Sequence, residues 1–117
     1  MLPKEGQLLR IFIGESDTLE GIPLYHWIVL KAREFKLAGA TVLRGLEGFG
    51  AHSKMHTAKV LRLSQDLPIV VEIVDSPERI EEFIPIIDQV IEEGLVTQER
   101  VQVQFYRSGV SKERSSD

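Results

Sequence analysis

The chain has 117 residues, of which 43% are hydrophobic and 27% are charged, and its formal net charge is -4. This length fits a single domain with its own core, and the acidic balance argues against broad nucleic-acid binding. The absence of cysteine excludes disulfides, cysteine–zinc sites and cysteine nucleophiles. No apolar run reaches the ~18 residues of a membrane-spanning helix, and the N-terminus lacks a signal-peptide core, so the predicted location is the cytoplasm.

The first half of the chain is predicted to fold as strand, helix and strand. Period-two alternation in QLLRIFIGE, residues 7–15, indicates the first strand. From Pro23 onward the apolar residues recur at helical spacing, and proline suits the first turn of a helix. The predicted helix stripe is Leu24, Trp27, Ile28, Ala32 and Phe35. Gly39 is predicted to end this helix in a left-handed conformation, and ATVLRG, residues 40–45, to form the second strand.

The second half begins with the most apolar stretch of the chain. LPIVVEIVD, residues 67–75, predicts the third strand. Asp75 or Ser76 is placed to cap the helix that follows. The apolar stripe of that helix is Ile80, Phe83, Ile84, Ile87, Val90 and Ile91. Because Pro85 lies off this stripe, a kink on the solvent side is expected rather than a break.

The order of the elements predicts the fold. Gly94 is predicted to stop the second helix, and ERVQVQFYR, residues 99–107, to form the fourth strand. The order is then β-α-β, a long loop, and β-α-β. It predicts an α+β domain with ferredoxin-like topology, in which a four-stranded antiparallel sheet carries two helices on one face and a long excursion joins strands two and three. The domain is predicted to span residues 1–107, and the polar tail, residues 108–117, to be disordered.

The two faces of the predicted sheet differ in composition. An apolar set is predicted to face the helices: Ile11, Ile13, Ile69, Val71, Ile73, Val101 and Val103. The opposite set is mixed: Arg10, Phe12, Val70, Glu72, Val74, Gln102, Gln104 and Tyr106. Arg10 and Glu72 lie on the two central strands and are predicted to pair. The apolar members of the mixed set indicate contact with further copies of the chain, and an ordinary half-exposed sheet is the alternative.

The connection between the second and third strands is the candidate functional segment. It runs from Gly45 to Asp66, which is far longer than a usual hairpin loop. Its glycines allow backbone N–H groups to turn toward an anion, its basic side chains add charge, and Phe49 offers a ring on which a base can stack. The predicted ligand-binding residues are Arg44, Gly45, Gly48, Phe49, Gly50, His52 and His56. The alternative is a hinge whose glycines only permit bending.

Other chemistry has thinner support in the sequence. His52 and His56 have the spacing of two imidazoles on one side of a helix, but a metal site needs a further ligand, and the nearby glycines disfavour a helix. Ser64 and Asp66, in LSQDLP, fit a turn as well as a nucleophile beside a carboxylate. No paired carboxylates and no nucleophile–base pattern stand out. A binding protein, not an enzyme, is therefore predicted, without a resident metal.

Three sequence blocks around the long loop are distinctive: RG-x-x-GFG, H-x-x-x-H and LS-x-DLPIV. Over about residues 7–106 the chain resembles a bacterial and archaeal family that is classed with the PII-like proteins, relatives of nitrogen regulatory protein PII, and catalogued as a domain of unknown function. The resemblance implies a ferredoxin-like homotrimer whose long loop corresponds to the PII T-loop. It also implies that an adenine nucleotide binds in the clefts between subunits, at the base of that loop.

The resemblance also assigns parts of the chain by position. Arg44–Gly50 correspond to the loop base, His52–His56 to the ascending part of the loop, and EGLVTQE, residues 93–99, to the second wall of the cleft. The chain lacks the glycine- and lysine-bearing phosphate loop of PII proteins before its fourth strand, and it has no counterpart of the modified loop tyrosine. The resemblance therefore implies a smaller ligand, such as AMP, rather than ATP.

The resemblance implies a regulatory role as well. Relatives tend to be encoded beside ion-export channels, so a membrane transport protein, contacted through the loop, is the expected partner. A rival interpretation is a metal-responsive trimer, similar in fold to the copper-tolerance proteins, with His52 and His56 as the ligands.

Overall fold

The computed structural model describes residues 2–49, 56–57 and 66–109. In chain order, the elements within these ranges are β1 (Glu5–Gly14), β2 (Thr18–Leu19), β3 (Ile22–Pro23), α1 (Leu24–Glu34), β4 (Thr41–Arg44), β5 (Glu47–Gly48), β6 (His56–Thr57), β7 (Pro68–Asp75), α2 (Pro77–Asp88) and β8 (Leu95–Gln102). The predicted disorder of the C-terminal tail falls, from residue 110 onward, outside the described part of the chain. Neither α1 nor α2, with 11 and 12 residues, is long enough to cross a bilayer.

The main sheet has the strand order β4-β7-β1-β8, and each strand runs antiparallel to its neighbours. β1 therefore lies inside the sheet and pairs with β7 on one side and β8 on the other. Each helix joins two of these strands, α1 between β1 and β4, and α2 between β7 and β8. This is the ferredoxin-like arrangement, and the predicted α+β class with its four-stranded antiparallel sheet is confirmed.

The core lies between the two helices and one face of the sheet. The residues of β1 and β7 that face the helices are buried, as predicted, and both helices pack their apolar stripes on them. The buried members are Leu9, Ile11, Ile13, Ile69, Val71 and Ile73 from the sheet, and Leu24, Ile28, Ala32, Ile80, Phe83 and Ile87 from the helices. Burying side chains of this size contributes about 1.5–3 kcal/mol each, so this layer supplies most of the folding free energy.

The face assigned to the fourth strand was wrong. β8 begins at Leu95, before the predicted start, and Val101 lies opposite Gly6, on the face away from the helices. Val96 instead lies opposite Ile11 and shares its face. β8 is an edge strand that is exposed along nearly its whole length. Because neither of its faces is deeply buried, its alternating pattern does not indicate which face meets the core.

Helix α1 ends earlier than predicted. Lys36, with a φ of 65°, takes the left-handed position, and Gly39 does not. The Lys36 N–H donates to the Arg33 carbonyl at 3.0 Å and the Leu37 N–H donates to the Ala32 carbonyl at 3.0 Å, which completes a Schellman motif. Leu37 is buried, so its packing against the core compensates for the strain of a left-handed lysine.

Helix α2 has the predicted start. Ser76 is its N-cap, and the side-chain oxygen accepts the Arg79 N–H at 3.2 Å. Pro85 lies on the exposed side and the helix continues through it to Asp88. Because the helix ends at Asp88, the prediction that Gly94 stops it was wrong. Gly94 is instead required by a close approach: a Cβ there would lie 2.6 Å from the Phe12 carbonyl oxygen.

We expect Gly94→Ala to destabilise the fold by about 1–3 kcal/mol, because the added methyl group meets backbone that cannot move aside. Gly39→Ala is the matched control, since a Cβ at Gly39 meets no atom within 4 Å. Urea unfolding of both variants measures the difference. Equal stability of the two variants would contradict the packing at Gly94.

Candidate functional site at the base of the long loop

The long loop leaves and re-enters the sheet where three strand ends meet. β1 ends at Gly14, β4 ends at Arg44, and β7 begins at Pro68. The register places Gly14 opposite Pro68 and Arg44 opposite Ile69. The two ends of the long loop and the turn after β1 are therefore neighbours at one end of the sheet.

Backbone hydrogen bonds hold this end of the sheet together. The Gly45 N–H donates to the Pro68 carbonyl at 2.7 Å, and the Glu15 N–H donates to the Leu67 carbonyl at 2.9 Å. A Cβ at Gly45 would lie 2.8 Å from Pro68 Cγ, and one at Gly48 would lie 3.1 Å from the same atom. Neither glycine has a positive φ. Close packing against the proline ring, rather than conformational freedom, therefore explains glycine at position 45.

Beyond Gly45 the chain forms a narrow ribbon. β5 pairs antiparallel with β6, with Glu47 opposite Thr57 and Gly48 opposite His56. The backbone at His56 thus lies beside Gly48 of the loop base. Gly50 and His52 lie outside the described residues, and of His56 only the backbone is described.

Arg44, the cation predicted to bind a ligand, pairs with a carboxylate. Its Nη2 lies 3.1 Å from Glu15 Oε1 and 3.0 Å from Glu15 Oε2. Glu15 Oε1 also accepts the Leu67 N–H at 3.4 Å. The Arg44 side chain is 53% exposed and that of Glu15 is 23% exposed. A ligand can therefore reach the guanidinium, although its charge is balanced by Glu15.

Glu15 was missed in the sequence analysis. It follows the first strand directly, in the segment IGESD. The predicted topology did contain a signal for Glu15. In an antiparallel pair the end of the first strand lies beside the start of the third strand, and the long loop returns to the sheet at that same point. Only the strand order β4-β7-β1 shows that this end is also within reach of Arg44.

Two more carboxylates lie at the same end of the sheet. Asp17 Oδ2 accepts the Gly14 N–H at 3.0 Å, and Asp66 Oδ1 accepts the Ser16 N–H at 3.1 Å. Asp66 therefore stabilises the turn after β1; Ser64, its suggested nucleophilic partner, lies outside the described residues. In the part of the chain that the structure describes, the surroundings of Arg44 are acidic, and the other basic residues of the loop lie beyond that part.

Apolar side chains of the loop base are open to solvent. Phe49 is 74% exposed and Leu46 is 77% exposed. The Phe49 ring is accessible for stacking, as the sequence analysis requires. Within the described ranges, no group of three or more His, Cys, Asp or Glu side chains is placed to hold a metal ion. The metal interpretation rests on the side chains of His52 and His56, which are not described, so it stays a prediction.

The predicted second wall lies at the other edge of the sheet. Residues 93–99 lead into β8, where Leu95 lies opposite Phe12 and is 56% exposed. β8 and β4 are the two outer strands, with β1 and β7 between them. At about 4.8 Å per strand, roughly 14 Å separates the two outer strands. One chain therefore does not bring both predicted walls onto the same small ligand.

The recess beside this second wall does not suit an anion. It has a volume of about 200 Å³ and lies between α2 and β8. Isoleucines of α2 and Val96 form its apolar lining, and its charged lining residues, Asp88 and Glu92, are acidic. An anionic ligand would meet repulsion there.

The described residues cover the face of the sheet opposite the helices only in part. Arg10 donates hydrogen bonds to Glu72 at 3.0 Å and to Glu99 at 2.9 Å. The predicted Arg10–Glu72 pair is therefore confirmed. Its hydrogen bond raises the pKa of the Arg10 guanidinium above the ordinary value. At one end of this face the C-terminal segment folds back, and the Tyr106 hydroxyl donates to the Ala38 carbonyl at 2.6 Å.

An apolar recess of about 440 Å³ opens on this same face, between the sheet and the C-terminal segment. Leu8 and Val74 of the sheet line it, together with Phe105 and Tyr106. Leu43, on the edge strand β4, is 47% exposed on this face.

Comparison with solved structures defines the class of the fold. A structure of CPII, a nitrogen regulatory PII-like protein from Thiomonas intermedia K12, bound to ADP, AMP and bicarbonate, is similar with a TM-score of 0.59 and 18% identity, over 85% of this chain and 88% of that chain. A second CPII structure, bound to ADP and bicarbonate, has a TM-score of 0.56 and 21% identity over the same shares. The fold is that of the PII-like proteins.

Comparison with families and relatives identifies the group more narrowly. The chain belongs to the DUF190 family, "Uncharacterized ACR", whose model matches residues 6–103. A UPF0166 protein of Aquifex aeolicus (strain VF5) is 40% identical over 97 residues, which are 83% of this chain and 91% of that protein. A UPF0166 protein of Methanocaldococcus jannaschii is 32% identical over 93 residues, 79% and 85% of the two chains. The predicted family, catalogued as a domain of unknown function and similar in fold to the PII-like proteins, is confirmed.

We expect Gly45→Ala to destabilise the fold by about 1 kcal/mol or more, because its Cβ would overlap the ring of Pro68. Replacing that ring tests the cause: in a Pro68→Ala background the same Gly45→Ala change is expected to cost much less. Chemical denaturation of the four chains gives the coupling. An undiminished cost in the Pro68→Ala background would contradict this account of Gly45.

Proposed function

We propose that this chain forms a homotrimeric, PII-like regulatory protein of the cytoplasm. It binds an adenine nucleotide of the AMP type, or a similar small anion, in clefts between subunits. Binding changes the long loop and so alters the affinity for a partner, for which a membrane transport protein is the proposed class. The protein acts by binding and not as an enzyme.

The observation that carries the proposal is the separation of the two predicted walls. Arg44 and the loop base lie at the β4 edge, whereas residues 93–99 lie at the β8 edge. Among the residues that the structure describes, no further strand pairs with the free edge of either outer strand. A closed ring of copies, in which the β4 edge of one chain approaches the β8 edge of the next, would unite the walls.

The uncovered sheet face supports the same assembly. Phe12, Val70 and Val74 are only partly buried there, and Leu43 and Tyr106 are each 47% exposed. Contact between copies through this face would remove apolar area from water, at about 25 cal/mol per Å². The register of Arg10 and Glu72 gives the same face a fixed polar centre.

The ligand class follows from the similar structures together with this chain's own residues. The CPII structures hold ADP, AMP and bicarbonate. In this chain Arg44 supplies a reachable guanidinium, and Phe49 exposes a ring on which the base can stack. The segment EEGLVT, which runs from Glu92 into the start of β8, contains no lysine. A single phosphate therefore fits this set better than a triphosphate.

We expect the purified chain to have three times its monomer mass at micromolar concentration in size-exclusion chromatography with light scattering. Calorimetry is expected to detect AMP binding at one site per chain, with weaker binding of ATP. Arg44→Gln is expected to weaken AMP about tenfold or more, because the phosphate loses a charge-assisted hydrogen bond.

Arg33→Gln is the matched control for that variant, since Arg33 is an exposed arginine at the end of α1. It is expected to leave AMP affinity unchanged. A monomeric chain, or no heat with AMP, ADP and ATP, would refute the proposed function.

A further inference from the structure

The carboxylate of Glu15 occupies the position that an anion at Arg44 would need. The backbone of Glu15 is fixed by its hydrogen bond to Leu67, and its side chain is more buried than that of Arg44. Both carboxylate oxygens lie within hydrogen-bond distance of the same guanidinium nitrogen, Nη2. Arg44 can therefore move away from this contact more readily than Glu15 can.

The charges around Arg44 determine which anion can displace the Glu15 carboxylate from the guanidinium. A guanidinium binds carboxylate and phosphate oxygens through the same N–H groups, so an anion that takes Nη2 of Arg44 competes with Glu15 directly. A monoanion such as bicarbonate offers no more charge than the carboxylate already in place. Asp17 and Asp66, at the same end of the sheet, add repulsion to any incoming anion. A phosphate monoester, with close to two negative charges at neutral pH, gains more from Arg44 than a monoanion does.

We infer that Glu15 is a specificity-determining residue, a built-in competitor that selects a phosphate monoester over monoanions at Arg44. This inference rests on the proposed function, since it concerns the same loop base. When a phosphate binds, Arg44 turns from Glu15 to the ligand, and the contact between the end of β1 and the edge strand β4 is released. Occupancy of the site is thereby coupled to the end of the sheet from which the long loop leaves.

The inference predicts that removing the competitor improves binding. We expect Glu15→Gln to tighten AMP binding by about three- to tenfold at constant ionic strength, because the guanidinium no longer has a bound carboxylate. Adenosine, which has no phosphate, should bind both chains equally. We expect the wild-type chain not to bind bicarbonate measurably, and the Glu15→Gln variant to gain measurable affinity for it. Calorimetry on the full chain measures all three ligands.

A double-mutant cycle tests whether Glu15 acts through Arg44. In an Arg44→Gln background, Glu15→Gln should no longer change AMP affinity. Glu82→Gln is the matched control, because it also removes a glutamate that pairs with an arginine, Arg79, on α2. It should leave AMP affinity as it is. If Glu15→Gln does not fold, Glu15→Asp replaces it in the test. The shorter side chain keeps the negative charge but holds it farther from Nη2 of Arg44, so AMP binding should again become tighter.

The outcomes separate the inference from the proposed function. If the wild-type chain binds AMP and Glu15→Gln binds it equally well or more weakly, the inference is overturned and the proposed function stays in place. Equal tightening of AMP and adenosine would also overturn it, since the effect would not depend on the phosphate. Absence of binding to the wild-type chain and to every variant would overturn both.

Discussion

The position of β1 inside the sheet is the constraint on which the rest of the structure depends. Because β1 pairs with β7 on one side and β8 on the other, β4 and β8 become the outer strands. The loop base and the segment before β8 are thereby placed at opposite edges. A small ligand that needs both must be shared between copies, so the proposed site and the proposed assembly depend on each other.

The loop base combines rigid and adjustable contacts. Gly45 and Pro68 pack too closely for any larger residue at position 45, which anchors the start of the loop to β7. The Arg44–Glu15 pair beside them is exposed enough for its net contribution to stability to be small, about 0–1 kcal/mol. A weak pair on a rigid frame can change partners without disturbing the fold. This combination is what a binding site that signals occupancy to a loop requires.

Much of the fold could be predicted because the core imposes its periodicity on the sequence. The first-helix stripe, the second-helix stripe as far as Ile87, and the buried faces of β1 and β7 were predicted correctly, and so was the ferredoxin-like topology. The errors lie at the margins of the core. β8 is exposed on both faces, so its sequence did not show which residues face the helices. The left-handed residue at the end of α1 is Lys36 and not Gly39, because Leu37 packs against the core. At the loop base, Glu15 was missed because its contact with Arg44 joins residues 29 apart in the sequence, which only the strand order brings together.

The central claim, that one ligand contacts two copies of the chain, is tested most directly by mixing two variants that each lack one wall. Arg44→Gln removes the loop-base contact, and Leu95→Glu places a negative charge on the exposed second wall. We expect each variant alone to bind AMP about tenfold or more weakly than the wild-type chain in calorimetry. Co-assembled in equal amounts, they should regain binding at about a quarter of the clefts, where an intact base from one chain meets an intact wall from the next. No recovery in mixed assemblies, with both variants folded and exchanging subunits, would mean that the site does not lie between chains.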